Sequence, residues 1–418
     1  MADFQAPRGM NDVLPEDEAV WRYVRDTAER VARLFDYHRI ETPIVEELGV
    51  FTHTAGAESD IVSKEMYAFE DRGGSTLALK PEGTAGVCRA YLEHGMASRP
   101  QPVRLYYLGP AFRYDRPQAG RYRQHWQFGV ECIGEASPAA DVEVIELQRM
   151  LYSELGLTDL VLRINSIGTA ETRERYREVL RDHFAPHLET LSGDSQRRYE
   201  TNVLRILDSK DDAGHPALAN VPSILDYLSE EDAKHFAQVR KLLDELGIAY
   251  EVAPSIVRGL DYYARTVWEF QPLDAGGQST IGAGGRYDGL IEMLGGPPTP
   301  GTGFASGLER IVLEVQKSEP DLGSTAPDAF TIPLGESGPA VAAKLAADLR
   351  AAGLAVRAGV PGRSMKAQLR AANNSGARYA LIVGGDEAAR GVAQLKPLLG
   401  GGDQREVALG EVVGAIRD

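Results

Sequence analysis

Within the eleven residues Arg113-Tyr-Asp-Arg-Pro-Gln-Ala-Gly-Arg-Tyr-Arg123 stand four arginines and a single acid. A guanidinium offers a planar fork of donors matched to phosphate oxygens, so this concentration of one sign is a candidate nucleotide or nucleic-acid site. A solvated hairpin tip is the plain alternative, but the chain as a whole is acidic, and local charge against the global trend favours a ligand. The segment that follows, Gln124 to Ile133, alternates: Trp126, Phe128, Val130 and Cys132 are apolar, while His125, Gln127, Gly129 and Glu131 are polar or small. Side chains alternate faces along a strand, so one face is core and the other carries donors and acceptors, Gln127 and Glu131 among them.

Three further segments carry chemistry. In Leu79-Lys-Pro-Glu-Gly-Thr84 a carboxylate (Glu82) and a hydroxyl (Thr84) flank Gly83 just before a helix. The carboxylate could hold an ammonium group, and a helix N-cap by Thr84 fits equally well. The stretches 255–263 and 282–289 set Arg258, Tyr262, Tyr263 and Tyr287 in glycine-rich backbone, which packs weakly in a strand but lets a ligand approach the main chain. Gly301-Thr-Gly-Phe-Ala-Ser-Gly307 runs into a helix whose first turn holds Arg310, where the helix dipole disfavours a cation unless an anion sits nearby. No phosphate-binding GxxxxGK[ST] loop and no GxSxG elbow occurs. His183 and His187 have helical spacing, but Pro186 falls between them, and no metal site is expected. An enzyme built this way takes its nucleophile from a substrate.

The elements that must position these residues can be read from periodicity. Residues 16–35 place Val20, Val24, Ala28, Val31 and Leu34 at helical spacing. Val103 to Arg113 and Gln124 to Ile133 read as an antiparallel hairpin with the arginine-rich loop between them. A polar, helical region from about 169 to 246 looks like an insertion into a sheet domain, with strand-like sequence resuming at Ile256. Lys317 to Pro327 is a polar linker punctuated by Pro and Gly. Beyond it, strand and helix alternate at short spacing, which predicts a separate small α/β domain. With 418 residues, two or three domains are expected. The net charge is −16, which as an average argues against a protein that coats nucleic acid. Its distribution is uneven: 34 basic and 52 acidic residues precede Ala326, while 11 basic and 9 acidic follow. Residues 357–378 hold five basic side chains and no acid, with Arg363, Lys366 and Arg370 spaced three and four apart, hence expected on one helical face. Two cysteines, Cys88 and Cys132, in no metal-binding spacing, are expected to be buried and reduced. No leader and no apolar stretch of membrane-spanning length is found, so a cytoplasmic protein is expected.

In this order, the segments resemble a class II aminoacyl-tRNA synthetase, and the likeness narrows to the bacterial-type histidyl-tRNA synthetases. ETPIVEELGVF is similar to the dimer-forming first class motif, FRYDRPQAGRYRQHWQFGVE to the second and GTGFASGLER to the third. VRGLDYYARTVWEF and AGGRYDGL are the more specific, histidine-associated signals. Departures are mild: Asp115 where Glu is common, Tyr114 where His is common, and a bulkier Trp126.

The resemblance implies an α+β fold. It comprises an antiparallel sheet flanked by helices in a catalytic domain over 1–325, with the helical insertion, and an α/β anticodon-binding domain over 326–418. It implies ATP-dependent attachment of L-histidine to the 3′ end of histidine tRNA through an adenylate, by a homodimer, with ATP as substrate and Mg²⁺ carried by the nucleotide. Arg113 and Arg258 would grip the α-phosphate, Arg113 also the histidine carboxylate, and Arg310 the outer phosphates. Arg121 joins the ATP site. Glu82, Gly83 and Thr84 would hold the α-amino group and Gln127 the carboxylate side. Glu131, Tyr263 and Tyr287 would read the imidazole, with Tyr262 in the same wall. Arg116 and Gln118 are candidates for the extra 5′ nucleotide of the tRNA, and Arg363, Lys366 and Arg370 for its phosphates. The rival reading is a catalytically inert paralogue regulating histidine biosynthesis. Such paralogues lack the anticodon-binding domain and erode the histidine-associated segments, and this chain keeps both.

Overall fold

The computed structural model describes residues 4–55, 61–209, 211–256, 259–273 and 280–417. The chain divides into two compact units, one up to Asp321 and one from Leu322 onward. In the first, α1 (Glu18–Leu34) buries Val20, Val24, Ala28 and Val31 as its periodicity requires. Leu34, expected on the same stripe, is 64% exposed, because it lies at the helix's final position. Next come α2 (Thr84–Glu93), β1 (Val103–Phe112), β2 (Gln124–Ile133), α3 (Pro138–Glu154) and β3 (Leu160–Ser166). The middle segment contributes α4 (Ala170–Phe184) and α5 (Glu230–Glu245) among shorter helical turns. Then follow β4 (Ala264–Pro272), β5 (Gly282–Arg286), β6 (Gly301–Gly307) and α6 (Leu308–Lys317).

These strands form one sheet in the order β1-β2-β6-β5-β4-β3, with two-residue strands His38–Arg39 and Glu251–Val252 at its edges. Every pairing between the six long strands is antiparallel, and both edge pairings are parallel. Strand structure after the middle segment resumes in earnest at Ala264, later than the composition at Ile256 suggests. From Gln127 onward both faces of β2 are buried, so its polar side chains face an internal cluster and not solvent. The glycines of β5 and β6 are what make that possible. A Cβ on Gly303 would collide with the Glu131 carboxylate, one on Gly285 would meet the Tyr263 ring, and one on Gly301 the Tyr287 ring. The register confirms the stacking, with Glu131 opposite Gly303 and Gly303 opposite Gly285.

The second unit has a five-stranded sheet from β7 (Ala329–Pro333), β8 (Val356–Ala358), β9 (Tyr379–Val383), β10 (Val392–Pro397) and β11 (Arg405–Ala408), in the order β8-β7-β9-β10-β11. The first three are parallel, joined through α7 (Gly338–Ala351) and α8 (Met365–Asn374). The last two pair antiparallel; the sequence reading did not anticipate them, since their charged residues mask the alternation. Among the described residues no helix is long and apolar enough to cross a membrane.

Candidate active site

A cleft of 410 Å³ opens on the sheet face between α6, the β1–β2 loop and the chain leading into β4, within the range of small-molecule sites. Its two ends differ chemically. At one end Arg113, Arg121, Arg310 and His125 line the wall. Arg113 donates from Nε to the Pro81 carbonyl at 2.8 Å, which holds its guanidinium at the mouth of the hairpin. Arg121 pairs with Asp115, and Arg310 donates from Nε to the Gly120 carbonyl at 3.0 Å and from Nη1 to the Thr280 carbonyl. Burial and then the neighbouring Arg121 charge push the Arg310 guanidinium below its ordinary value. Burial, reinforced by Arg113 and Arg310, drives His125 down to about 3, so its imidazole is neutral. Asp115 and Glu269 line the same cleft and balance part of this charge, but three guanidinium groups converging on one concave site suit a phosphate-bearing anion.

At the other end lie Glu82, Thr84, Gln127, Tyr262 and Tyr263. Glu82 is buried at the start of α2, where its carboxylate accepts the backbone N–H groups of Thr84 (2.6 Å) and Ala85 (3.0 Å). Thus Glu82, not Thr84, satisfies the orphan donors of this helix. That frees the Thr84 hydroxyl to donate to Glu131 Oε1 at 2.7 Å, while Tyr287 Oη donates to Oε2 at 2.5 Å. Glu131 and Tyr287 do not line the open cleft; they form a closed cluster with Thr84 behind it. Fully buried, the Glu131 carboxyl is pushed up to about 8 by loss of solvent, the two hydroxyls offsetting only part of that cost. Burial likewise raises Glu82, against the helix N–H groups and Arg113. The Gln127 amide oxygen is buried without a partner among the described residues, as expected of a polar group that waits for a ligand. Tyr262 and Tyr263 pack ring on ring at 4.7 Å, and Tyr262 meets Tyr287 edge-on at 6.1 Å.

The structure therefore brings Arg113, Arg121, Arg310, Glu82, Gly83, Thr84, Gln127, Glu131, Tyr262, Tyr263 and Tyr287 to one cleft and the cluster behind it. Arg258 lies outside the described residues. Arg116 and Gln118 are exposed on the hairpin loop, where Gln118 bridges to Arg121. In the second unit Lys366 and Arg370 share an exposed face of α8. Arg363 does not: it precedes the N-cap Ser364, whose hydroxyl accepts the Ala367 N–H, so the helical face expected of the three residues holds for two. Both cysteines are buried and unpaired with each other, and no cluster of metal-ligating side chains occurs among the described residues. The His183 and His187 rings are 6.2 Å apart, and His183 Nε2 is engaged with the Ala217 carbonyl. Sequence reasoning missed His125 and Arg286 as parts of this site's support. Arg286 is fully buried and pairs with Asp141 and Asp288 at 2.8 and 2.9 Å; an arginine in an otherwise apolar strand is the signal that could have found it, since such a charge is retained only when paired.

Comparison with known proteins agrees with this geometry. Residues 9–311 match the histidyl-tRNA synthetase family profile, and residues 328–418 match an anticodon binding domain. A histidine–tRNA ligase of Dehalococcoides mccartyi is 47% identical over 417 residues, 99% of each chain. One of Lysinibacillus sphaericus is 45% identical over 414 residues, 98% of each. The apo crystal structure of the S. aureus histidyl-tRNA synthetase superposes with a TM-score of 0.81 at 35% identity, covering 99% of this chain and all of that one.

Proposed function

The chain belongs to the histidyl-tRNA synthetase family, and from that premise we propose how its residues attach L-histidine to the 3′ end of histidine tRNA with ATP as co-substrate. The observation that carries the reading is the two-ended cleft: a wall where three guanidinium groups, Arg113, Arg121 and Arg310, converge, beside a buried carboxylate cluster.

In the first step a histidine carboxylate oxygen attacks the α-phosphorus of ATP, the bond to the β-phosphate oxygen breaks, and pyrophosphate leaves. Negative charge concentrates on the phosphoryl oxygens, so the protein's work is positioning and supplying preorganised cations. Arg113 holds the α-phosphate and the amino-acid carboxylate, with the Gln127 amide beside it. Arg310 and Arg121 take the outer phosphates. Arg258, in the segment VRGLDYYARTVWEF, takes the α-phosphate together with Arg113 by the family resemblance. Mg²⁺ enters with the nucleotide as part of the substrate. The α-amino group sits against Glu82 and the Thr84 hydroxyl. Imidazole recognition falls to Glu131, Tyr263 and Tyr287, with Tyr262 in the wall. Because Glu131 is closed off by Thr84 and Tyr287, histidine must exchange its own ring N–H for one of these hydroxyl donors. A ring that cannot donate leaves a buried acceptor unmatched, which is a strong basis for discrimination. In the second step the 3′-terminal ribose hydroxyl of the tRNA attacks the adenylate carbonyl and AMP leaves.

The proposal extends to the whole chain. Residues 1–325 act as the catalytic domain and 326–418 as the anticodon-binding domain, with Lys366, Arg370 and Arg363 on tRNA phosphates and Arg116 with Gln118 on the extra 5′ nucleotide. A homodimer through the 41–51 segment is supported by the exposure there of Ile44 and Val45, 44% and 40%. Two buried unpaired thiols favour a reducing, cytoplasmic setting. Charging of histidine tRNA with labelled L-histidine tests the reading: accumulation of acid-precipitable histidine that requires ATP is expected, and none above a no-enzyme control would overturn it.

A further inference from the structure

Helix α5 lines no part of the cleft, yet two of its side chains are tied, one directly and one through a relay, to Arg265 and Arg286, which lie two residues after Tyr263 and next to Tyr287. Asp232 and His235 stand three residues apart, hence on one face of α5, and both are buried. Asp232 Oδ1 accepts Arg265 Nε at 3.0 Å, and its Oδ2 accepts the Thr169 N–H at 3.1 Å. Arg265 lies two residues after Tyr263 and carries a φ of +52°, a left-handed conformation that a non-glycine residue keeps only where its surroundings hold it. Its N–H and carbonyl are both tied to the loop that follows β3, at 2.8 Å to the Gly168 carbonyl and 2.8 Å from the Ile167 N–H. Arg173 of α4 adds a hydrogen bond of 2.6 Å to the Tyr263 carbonyl.

The second side chain acts through a relay. His235 Nε2 lies 2.8 Å from Asp141 Oδ2, Asp141 Oδ1 accepts Arg286 Nε at 3.0 Å, and Arg286 immediately precedes Tyr287. Ala264 and Arg286 are cross-strand partners at the matching ends of β4 and β5. One face of one helix therefore clamps the two adjacent strand ends from which Tyr263 and Tyr287 project. The apolar side chains are continuous in the same way, with Tyr176, Leu180 and Phe184 of α4 in one core with Tyr262, Tyr263 and Tyr287.

We infer that α5 is a positioning element for the amino-acid pocket: through Asp232–Arg265 and His235–Asp141–Arg286 it fixes Tyr263 and Tyr287 relative to Glu131, so that the middle segment sets histidine affinity without touching histidine. The inference rests on the pocket being a histidine site. It makes Asp232 and His235 positioning residues, and it predicts an effect confined to one substrate, since neither clamp reaches Arg113 or Arg310.

The test is His235→Ala, read in histidine-dependent exchange of pyrophosphate into ATP. The KM for histidine rises about tenfold, the scale of one lost buried hydrogen bond, while the KM for ATP stays within about twofold. His235→Gln, which keeps an N–H within reach of Asp141, restores most of the loss. An unchanged histidine KM in the folded alanine variant, a parallel rise of both KM values, or a glutamine variant no better than alanine would each overturn the role of α5. Should His235→Ala fail to fold, Asp232→Asn is the near-isosteric substitution that carries the same expectation through Tyr263, and an unchanged histidine KM there overturns it equally. Wild-type enzyme that exchanges with histidine while the variants match it would refute α5 alone; wild-type enzyme with no histidine dependence would refute the pocket reading as well.

Discussion

Replacing Glu131 by glutamine separates the cost of the buried carboxyl from its use. Burial lifts this group from 4.5 to about 8, and each unit corresponds to roughly 1.4 kcal/mol. The folded protein therefore keeps a proton that the unfolded chain has already released between these two values. Protons bound in excess by the folded state make stability fall as pH rises through that window. The penalty is absent below about pH 4.5, reaches roughly 3 kcal/mol at pH 7 and levels off near 5 kcal/mol above pH 8. Glutamine cannot titrate, so Glu131→Gln should lose this slope whatever its own packing costs. All three tryptophans, Trp21, Trp126 and Trp268, lie in the first unit, so fluorescence-detected urea unfolding reports on that unit alone. Between pH 5 and 8 the stability difference, variant minus wild type, should grow in the variant's favour by about 1 kcal/mol per pH unit. Parallel curves across that range would refute the account of a desolvated, protonated Glu131. The same variant should also bind histidine worse, its KM rising about 10- to 100-fold, because the amide puts an NH2 group where a carboxyl oxygen stood and leaves a buried polar group unmatched, at a cost of about 1–3 kcal/mol. A stabilised protein with weakened substrate binding is the signature of a site that holds strain for function.

Three other perturbations bear on separate parts of the site. Arg258→Ala should slow pyrophosphate exchange by about 10²- to 10³-fold, the scale of one preorganised transition-state donor; a near wild-type rate removes it from the mechanism. Gly303→Ala places a methyl group against the Glu131 carboxylate and the Val130 carbonyl. Overpacking of this kind costs about 1–3 kcal/mol, and here it should appear as a raised histidine KM with ATP binding retained; equal effects on both substrates would argue against it. Deleting residues 326–418 should abolish most tRNA affinity and flatten its salt dependence, while leaving pyrophosphate exchange in place. Untouched tRNA binding in the truncated protein would deny the second unit its part.

Much of this was legible in the residues because strand periodicity and glycine placement are local signals. The alternation of Trp126 to Ile133 marked a polar face, and the glycines of 282–285 and 301–307 marked where side chains from neighbouring strands need room. What the sequence could not show was long-range pairing. Glu82 caps α2 while Thr84 turns away to Glu131, a choice settled by tertiary contact and not by the local motif, in which either residue could cap. Arg286 lies in the glycine-rich run of 282–289, yet its side chain is buried on Asp141, 145 positions away. Arg363 failed to join the face of α8 because Ser364 starts the helix one residue later, a boundary that spacing alone does not reveal. The short strands β10 and β11 were hidden by charges at Lys396, Arg405 and Glu406, which sit at half-exposed and exposed positions of these strands. Net charge misled for a similar reason, since an average hides four arginines confined to one loop.

The most direct measurement is exchange of labelled pyrophosphate into ATP with each standard amino acid in turn. L-histidine alone should support exchange, and adding histidine tRNA should drain the adenylate into charged product and AMP. Exchange supported by another amino acid, or absent with histidine, would contradict the assignment of the carboxylate cluster behind the cleft.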